Sequence, residues 1–482
     1  MARILVSHSY FYRLDPKQWD DGRPYPPLGT IQAAAVLREA GHEVKVFDTG
    51  LRHSPEEIRA ELEQYEPDVL VLYDDGFNYL TKMCLTVMRD AAHRMIALGK
   101  EAGCQVAINS SDASDHSEAY LKAGADVVVL GEGEVSLTEV IDHWSKNEGV
   151  DTVAGIAVLK NGLVSVTPKR PVLRELDGLP LPAWDLIDIG PYKAIWQRSQ
   201  GFFSLNMATT RGCPFKCNWC AKPIYGNRYN SRSPEHVADE LQLLQTGSGP
   251  DHIWFADDIF GLKPGWVQRF AEVLKKRGMR VRYKIQSRVD LLLESDTIDA
   301  LVASGLEEVW VGAESGSQRI LDAMDKGTTV EQIAKATRLL RSKGVRVCFF
   351  LQFGYMDESE AEVEQTIRMV EDLLPDDIGV SISYPLPGTV FHEKVKADLV
   401  DKANWTDSDD LAMMFRNRQK PAYYKRLHRY VHKRYRRAQA LAALRGEAHN
   451  KGKSTLERSL SAMYYVPATI VERYRLQRSA NG

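Results

Sequence analysis

The chain has 482 residues, of which 44% are hydrophobic, 26% charged and 9% aromatic, and it carries a net charge of −3; that length suits about three domains. Collagen, long disorder and a disulfide-stapled mini-protein are excluded, and the near-neutral balance gives no global bias toward nucleic acid. With no run of 18 uninterrupted apolar residues, no membrane-spanning helix is expected. Met1–Ser7 reads as a first strand rather than a secretory leader. The expected compartment is the cytoplasm, where the six cysteines are thiols, metal ligands or catalytic groups rather than disulfides.

Residues 1–148 alternate strand and helix. Strands are expected at Arg3–Ser7, His42–Phe47, Asp68–Tyr73, Cys104–Ile108 and Asp126–Leu130. Helices are expected at Gly29–Ala40, Pro55–Gln64, Leu80–Ala102 and Asp115–Lys122, and Gly131-Glu-Gly-Glu134 opens a last one through Trp144. Apolar strands separated by amphipathic helices imply a doubly wound, Rossmann-like parallel sheet, whose ligands sit beyond the carboxyl ends of the strands. Residues 149–200 form a bridge. In it Val153–Leu159 and Leu163–Val166 flank Asn161-Gly162, a strong hairpin signal, and Leu179–Trp184 is a proline-stiffened linker.

A second array fills residues 201–400. Its strands are expected at Leu205–Thr209, His252–Phe255, Val281–Gln286, Glu308–Val311, Val345–Leu351 and Ile378–Ser383. The helical patterns between them are Pro234–Leu244, Pro264–Arg277, Glu294–Ser304, Val330–Lys343 and Ser359–Leu373. Such repeats suggest a barrel-like sheet with its chemistry on the loops at the strands' carboxyl ends. The first strand runs into Thr210-Arg-Gly-Cys213-Pro-Phe-Lys-Cys217-Asn-Trp-Cys220. Three thiolates at this spacing can wrap one face of an iron–sulfur cluster, which normally takes four. A structural zinc site would also want a fourth ligand close by, yet the nearest histidine, His236, lies sixteen residues beyond Cys220. One iron is then left open, as a catalytic metal requires. The other cysteines, Cys84, Cys104 and Cys348, lie in apolar patterns and read as core.

The cysteine spacing, with an aromatic residue directly before the last Cys, resembles the cluster loop of the radical S-adenosylmethionine (SAM) superfamily. The resemblance implies a [4Fe–4S] cluster on Cys213, Cys217 and Cys220. It also implies SAM chelated by the open iron and cleaved to a 5′-deoxyadenosyl radical, with Trp219 packed near the adenine. Further segments at the strand mouths follow in order over roughly 185 residues, which makes the set specific although each is weak alone. In Phe255-Ala-Asp257-Asp258-Ile-Phe260, Asp257 and Asp258 are implied partners of the SAM ammonium; read from the residues alone they cap a helix before Pro264. Ser287-Arg288 offers a guanidinium to the SAM carboxylate, or else an internal pair with Asp257, Asp258 or Asp290. Val311-Gly-Ala-Glu314-Ser315-Gly316 resembles the family's Gly-x-Glu-Ser-Gly segment, in which Glu and Ser approach SAM. Tyr384-Pro-Leu-Pro-Gly388-Thr389 resembles a segment of class B members and closes the mouth, or is simply a rigid turn. The turn after the fifth strand keeps only Gly354 and Glu358 of the family pattern.

Residues 1–148 resemble the cobalamin-binding domain of class B radical SAM enzymes. The Asp-x-His-x-x-Gly motif that supplies a lower cobalt ligand is absent: Ser7-His8-Ser9-Tyr10-Phe11 stands there, and His8 reads as an ordinary loop histidine. The resemblance therefore implies cobalamin held without a protein lower ligand, or none held. The implied architecture is α/β: a cobalamin-binding-type domain (1–148), a hairpin and linker (149–200), a partial (β/α)6 TIM-like radical SAM barrel (201–400) and a helical C-terminal extension (401–482). The implied activity is methyl transfer to an unactivated carbon or phosphorus centre. Alternatives are a radical rearrangement or ring-forming reaction like that of the anaerobic oxidative cyclase group, or non-catalytic iron–sulfur or corrinoid binding. Expected partners are a small-molecule, lipid or natural-product substrate and an electron donor such as flavodoxin or ferredoxin, with no nucleic acid. From Phe415 onward, 17 Lys and Arg face three Glu. This tail reads as a basic helical cap on an acidic body, with an anionic membrane surface or an anionic substrate as alternatives.

Overall fold

The computed structural model describes residues 1–83, 85–220, 225–402, 404–446 and 455–480. The chain divides into two compact units, one of Met1–Pro214, Ala221–Arg282 and Asn404–Asp410, the other of Phe215–Cys220, Tyr283–Ala403 and Leu411–Gly482. Among the described residues, no helix is long and apolar enough to cross a membrane.

The first unit is built on a seven-stranded sheet: β1 (Arg3–Ser7), β2 (Glu43–Phe47), β3 (Val69–Tyr73), β4 (Gln105–Asn109), β5 (Val127–Val129), β6 (Ile156–Lys160) and β7 (Leu163–Val166). The order is β2-β1-β3-β4-β5-β6-β7, parallel through β5. The first five strands thus take the doubly wound order with its switch point between β1 and β3. Alternation along the strands separates two cores. Leu5, Leu70, Leu72, Val106 and Ile108 pack with Met95 and Ile96 on one face; Ile4, Val6, Val69 and Val71 pack with Ala33, Ala34, Leu37, Val140 and Ile141 on the other. The expected hairpin is present, with Asn161 and Gly162 both at positive φ (52° and 78°), as a two-residue turn of this hand demands. It is part of the sheet and not a separate bridge, because β6 pairs antiparallel with β5.

Three differences from the sequence reading have local causes. The helix expected over 80–102 is two helices, Tyr79–Lys82 and Thr86–Glu101, because the Thr86 N–H donates to the Trp405 carbonyl (2.9 Å) and not back along a helix. Cys84, expected there as core, lies outside the described residues. The helix expected over 115–122 starts earlier and breaks at His116, giving Ser111–Asp115 and Ser117–Lys122, the first capped by Ser110. The linker contains an unforeseen helix, Gly190–Gln200, anchored by the Tyr192 hydroxyl on Asp48 (2.7 Å) and the Trp196 indole on the Pro24 carbonyl (2.7 Å).

Six parallel strands form the curled half barrel: β8 (Ser204–Met207), then, after the short antiparallel pair β9 (Thr210–Arg211) and β10 (Asn230–Ser231), β11 (His252–Phe255), β12 (Tyr283–Ser287), β13 (Leu306–Glu314), β14 (Arg346–Phe353) and β15 (Asp377–Ile382). They stand in chain order. In the first unit β8 pairs with β11; in the second, β12 to β15 pair successively, with a register shift at the end of β13. Cys104 and Cys348 are buried, as expected of core residues, and burial pushes both thiols up in pKa.

The C-terminal extension is helical, with Pro421–Leu444 and Thr455–Ala480 as its two long helices. The first buries Tyr423, Tyr424, Leu427, Tyr430, Val431 and Tyr435. Its Arg434 reaches Glu364 (3.1 Å) and Glu371 (2.5 Å) on the helix Glu360–Leu373, so part of the tail's positive charge is matched by the barrel's own carboxylates.

The helix Glu360–Leu373 approaches β13 so closely that a Cβ on Gly316 would lie 2.5 Å from the Gln365 carbonyl oxygen and 2.7 Å from the Thr366 Cα. Backbone cannot yield as a side chain can. Gly316→Ala is therefore expected to destabilise the protein by about 2–3 kcal/mol, measured as a shift in denaturation midpoint against wild type.

Candidate functional site

The cysteine loop leaves the carboxyl end of β8, where the rule for parallel barrels places chemistry. Asp257, just past β11, fixes its root: the carboxylate accepts from the Thr209 N–H (2.7 Å), the Thr209 hydroxyl (2.5 Å) and the Thr210 N–H (2.9 Å). Burial raises the Asp257 carboxyl to about 6 despite these donors. Its neighbour Asp258 pairs with Lys82 at 2.7 Å. Both carboxylates expected to meet an ammonium group are thus engaged within the protein, neither as a helix cap.

Next along the loop, Arg211 is 5% exposed and its guanidinium spans two carboxylates, Glu132 at 2.6 Å and Glu134 at 2.7 Å. These acids come from the Gly131-Glu-Gly-Glu segment that follows β5. Burial disfavours the Arg211 charge, but Glu134, Tyr225 and Glu132 outweigh it and hold the group firmly protonated. Gly133 gives the segment its close approach: a Cβ there would sit 2.7 Å from the Asn109 side-chain nitrogen. Sequence reasoning quoted both stretches without joining them; the signal available was an arginine two residues before the first cysteine and two acids around a glycine.

The rest of the loop belongs to the second unit. Asn218 fastens it, its N–H donating to the Met324 carbonyl (3.0 Å) and its side-chain amide to the Ala323 carbonyl (2.8 Å) and Asp325 (2.7 Å), while the Tyr355 hydroxyl donates to its oxygen (2.8 Å). Arg288, buried at the end of β12, forks onto Asp290 (3.1 and 3.0 Å), donates to the Lys326 carbonyl (2.9 Å) and points the same Nη1 at the Cys217 sulfur (3.9 Å), with the Phe215 ring over its guanidinium at 3.7 Å. The internal partner is therefore Asp290. Ser287 is buried beside it.

Glu314 ends β13 with φ at 56°, a left-handed conformation that costs a non-glycine residue of order 1–3 kcal/mol. Its carboxylate is held by the Lys326 ammonium at 2.8 Å, both groups being buried. Burial opposes the Lys326 charge, yet Glu314 and the Cys217 sulfur raise its pKa above the ordinary value. Gly312 makes room for the pair, since a Cβ there would lie 2.4 Å from Lys326 Nζ. Lys326 Nζ also stands 5.8 Å from the centre of the Trp219 ring. Ser315 is fully buried, shares a 3.1 Å hydrogen bond with Thr366 and accepts from the Ser317 N–H (3.1 Å). Tyr384 is half-buried, just past β15. The structure thus joins Cys217, Trp219, Arg288, Glu314 and Lys326 through direct contacts.

In kind these residues suit the implied groups, but among the described residues no three Cys, His, Asp or Glu side chains gather as a metal site. Cys213, Cys217 and Cys220 are in no disulfide, the first two half-buried and the third exposed. The Trp219 indole N–H is buried with no acceptor among the described residues, as are the polar atoms Thr328 Oγ1, Gln352 Oε1 and Ser383 Oγ of the same unit; buried groups left this way call for a partner. In the first unit, a narrow cleft lies at the switch point, lined by Ser9, Asp74, Met88, Arg89, Asp112 and Tyr120. His8 is 3% exposed, with its Nε2 2.8 Å from the Asp48 carboxylate and its Nδ1 3.2 Å from the Thr49 hydroxyl. Its ring is thereby committed to the protein.

Two outcomes follow. Lys326→Met strands a buried Glu314 carboxylate and is expected to cost about 3–5 kcal/mol in chemical denaturation, partly restored by adding Glu314→Gln. Glu358, whose carboxylate accepts the Gly354 N–H (2.6 Å), is raised by burial to about 8. Its protonated form is the one the fold favours, so its contribution is fully present below its unfolded pKa near 4.5 and lost as pH rises through about 8. Glu358→Gln should therefore flatten the fall of Tm between pH 5 and pH 9, most visibly at the alkaline end.

Comparison with known proteins agrees with this geometry. Residues 207–370 match the radical SAM superfamily and residues 22–141 the B12-binding domain. An uncharacterized methyltransferase of Pyrococcus horikoshii is 30% identical over 391 residues, covering 80% of this chain and 82% of that protein. The anaerobic magnesium-protoporphyrin IX monomethyl ester cyclase of Rubrivivax gelatinosus is 26% identical over 374 residues, covering 75% of this chain and 65% of that one. The fold is shared with the cobalamin-dependent SAM radical enzyme OxsB, solved with aqua-cobalamin bound, at a TM-score of 0.74 and 18% identity over 99% of this chain and 72% of that one. With its three-cysteine loop at the mouth of a parallel half barrel and a B12-binding sheet ahead of it, the chain belongs to the radical SAM superfamily, in the branch that carries a B12-binding domain.

Proposed function

We propose that this chain is a cobalamin-dependent radical SAM methyltransferase acting on an unactivated carbon or phosphorus centre of a small molecule, lipid or natural product. The observation that carries the reading is the three-cysteine loop within a radical SAM match in a chain that also matches a B12-binding domain. The resemblance to the Pyrococcus methyltransferase supports it. We assign residues 1–148 to the corrinoid, 201–400 to the cluster and SAM, 149–200 to a connection between these assignments and 401–482 to the basic helical extension. The reducing chemistry suits a cytoplasmic protein served by a flavodoxin or ferredoxin.

In this reading Cys213, Cys217 and Cys220 hold the [4Fe–4S] cluster. Trp219, Ser287, Arg288, Glu314, Ser315 and Tyr384 surround SAM, and Asp257 and Asp258 frame the strand mouth. When bound, cluster, SAM and cobalamin supply one-electron cleavage of a sulfonium bond and the carriage of a methyl group. The protein's own part is positioning. Asp257 holds the root of the loop at Thr209 and Thr210, and Asn218 fastens its middle, between Cys217 and Cys220, so less chain is left to be ordered when the cofactor binds. Arg288 points an N–H at Cys217 from a fork locked on Asp290, which stabilises negative charge on sulfur. Lys326 and Glu314 neutralise each other beside Trp219, leaving a buried polar floor without a net charge. The Ser9–Asp74 and Arg89–Asp112 pairs line the switch-point cleft with fixed donors and acceptors, suited to the amide-bearing edge of a corrin.

Incubated anaerobically with a reductant and SAM bearing a deuterated methyl group, the reconstituted full chain should yield 5′-deoxyadenosine and S-adenosylhomocysteine, and cells expressing it should accumulate a product that carries the label. Cys217→Ala should abolish SAM cleavage at least about 100-fold and lower the bound iron. A loaded enzyme that forms 5′-deoxyadenosine but no S-adenosylhomocysteine would favour the ring-forming reading, to which the Rubrivivax cyclase is the relevant likeness. Neither product from a loaded cluster would reject both.

A further inference from the structure

The last helix, Thr455–Ala480, has two different faces. Its inner face, Ala462, Thr469, Glu472 and Leu476, is buried. Glu472, 1% exposed, is neutralised there by Lys433 (2.7 Å) and Arg426 (3.2 Å) of the helix Pro421–Leu444, with the half-exposed Arg475 of its own helix at 3.9 Å. The outer face carries Leu460, Met463, Tyr464, Ile470, Val471 and Tyr474, at between 48% and 73% exposure. Their spacing of three and four residues places them on one stripe, which Pro467 shares. At 100° per residue, Arg473 and Arg475 fall on opposite borders of that stripe, while Arg478 closes its C-terminal end, over the Tyr474 ring; all three are exposed. Monomeric surfaces scatter large apolar residues; six in a continuous stripe mark an interaction surface.

Charge selects the occupant. Helix Pro421–Leu444 has seven Lys and Arg and no acidic residue, and from Phe415 onward the chain carries a net +14 against −17 in the remainder. A second copy would bring arginine borders against arginine borders. An apolar stripe between cationic borders on a helix too polar to span is the pattern of a helix lying in the plane of an anionic bilayer, its apolar side in the acyl boundary and its arginines at the phosphates. We propose that the outer face of Thr455–Ala480 docks this protein on an anionic phospholipid surface. The proposal places the membrane contact on this helix and not on the tyrosine-bearing helix before it, whose tyrosines are buried, and it is independent of the methyl-transfer reading.

The test is flotation of the full chain with vesicles of phosphatidylcholine alone or with a quarter of phosphatidylglycerol. Binding to the anionic vesicles should be at least about tenfold tighter than to neutral ones and should weaken as salt is raised. Ile470→Glu and Met463→Glu should each reduce binding about tenfold or more with unchanged helical content and Tm. Arg473→Gln with Arg475→Gln, exposed positions whose loss leaves the apolar stripe intact, should lower anionic binding alone. Failure of wild type to float, equal affinity for both vesicles, or floating of the Ile470→Glu and arginine variants with wild-type affinity would overturn the proposal. A concentration-dependent dimer that Ile470→Glu dissolves, without vesicle binding, would also overturn it and give the face to a second copy.

Discussion

A single buried guanidinium ties the chemistry of the first unit together. Arg211 sits two residues before the first cluster cysteine and is held by two glutamates from the loop after β5. Three charges out of water are costly together, and removing any one leaves an uncompensated neighbour, typically at 3–5 kcal/mol. The arrangement therefore constrains two otherwise independent pieces of sequence. The Gly-Glu-Gly-Glu segment must keep Gly133, whose Cβ would collide with Asn109, and the cysteine loop must leave β8 at a fixed height. Asp257 supplies the second fixed point by gripping Thr209 and Thr210.

The second unit solves the same problem with different groups. There the strained backbone of Glu314, the ammonium of Lys326 and the fork of Arg288 make a buried polar network beside Cys217 and Trp219. Such a network is expensive unless every member is satisfied. Among the described residues Trp219 Nε1 is buried beside this network without an acceptor, a group of the kind that calls for a partner.

Much of this was legible before any coordinates. His252–Phe255 is a strand from end to end, as its apolar run between turn residues requires, and the Asn-Gly hairpin falls where its turn chemistry places it. Boundaries slipped where a distant backbone partner intervened: Trp405 captures the Thr86 N–H and splits a helix whose periodicity is unbroken in sequence. The cysteine spacing was readable because its chemistry is local. The partners of Asp257, Asp258, Arg211 and Glu314 were not, since each lies across the fold and no spacing rule reaches it. The last helix falls inside the helical extension that the sequence predicts over 401–482, but its outward apolar stripe is hidden in a tail whose composition is dominated by Lys and Arg.

The account stands on one chain holding both an open-iron cluster and a corrinoid. Its most direct test is elemental analysis of the full-length protein, purified anaerobically from cells supplied with cobalamin. The account predicts about four irons, the content of one [4Fe–4S] cluster, and about one cobalt per chain. Iron without cobalt would contradict the methyl-transfer reading while leaving the radical chemistry, and zinc that persists in place of iron after reconstitution would contradict the account as a whole.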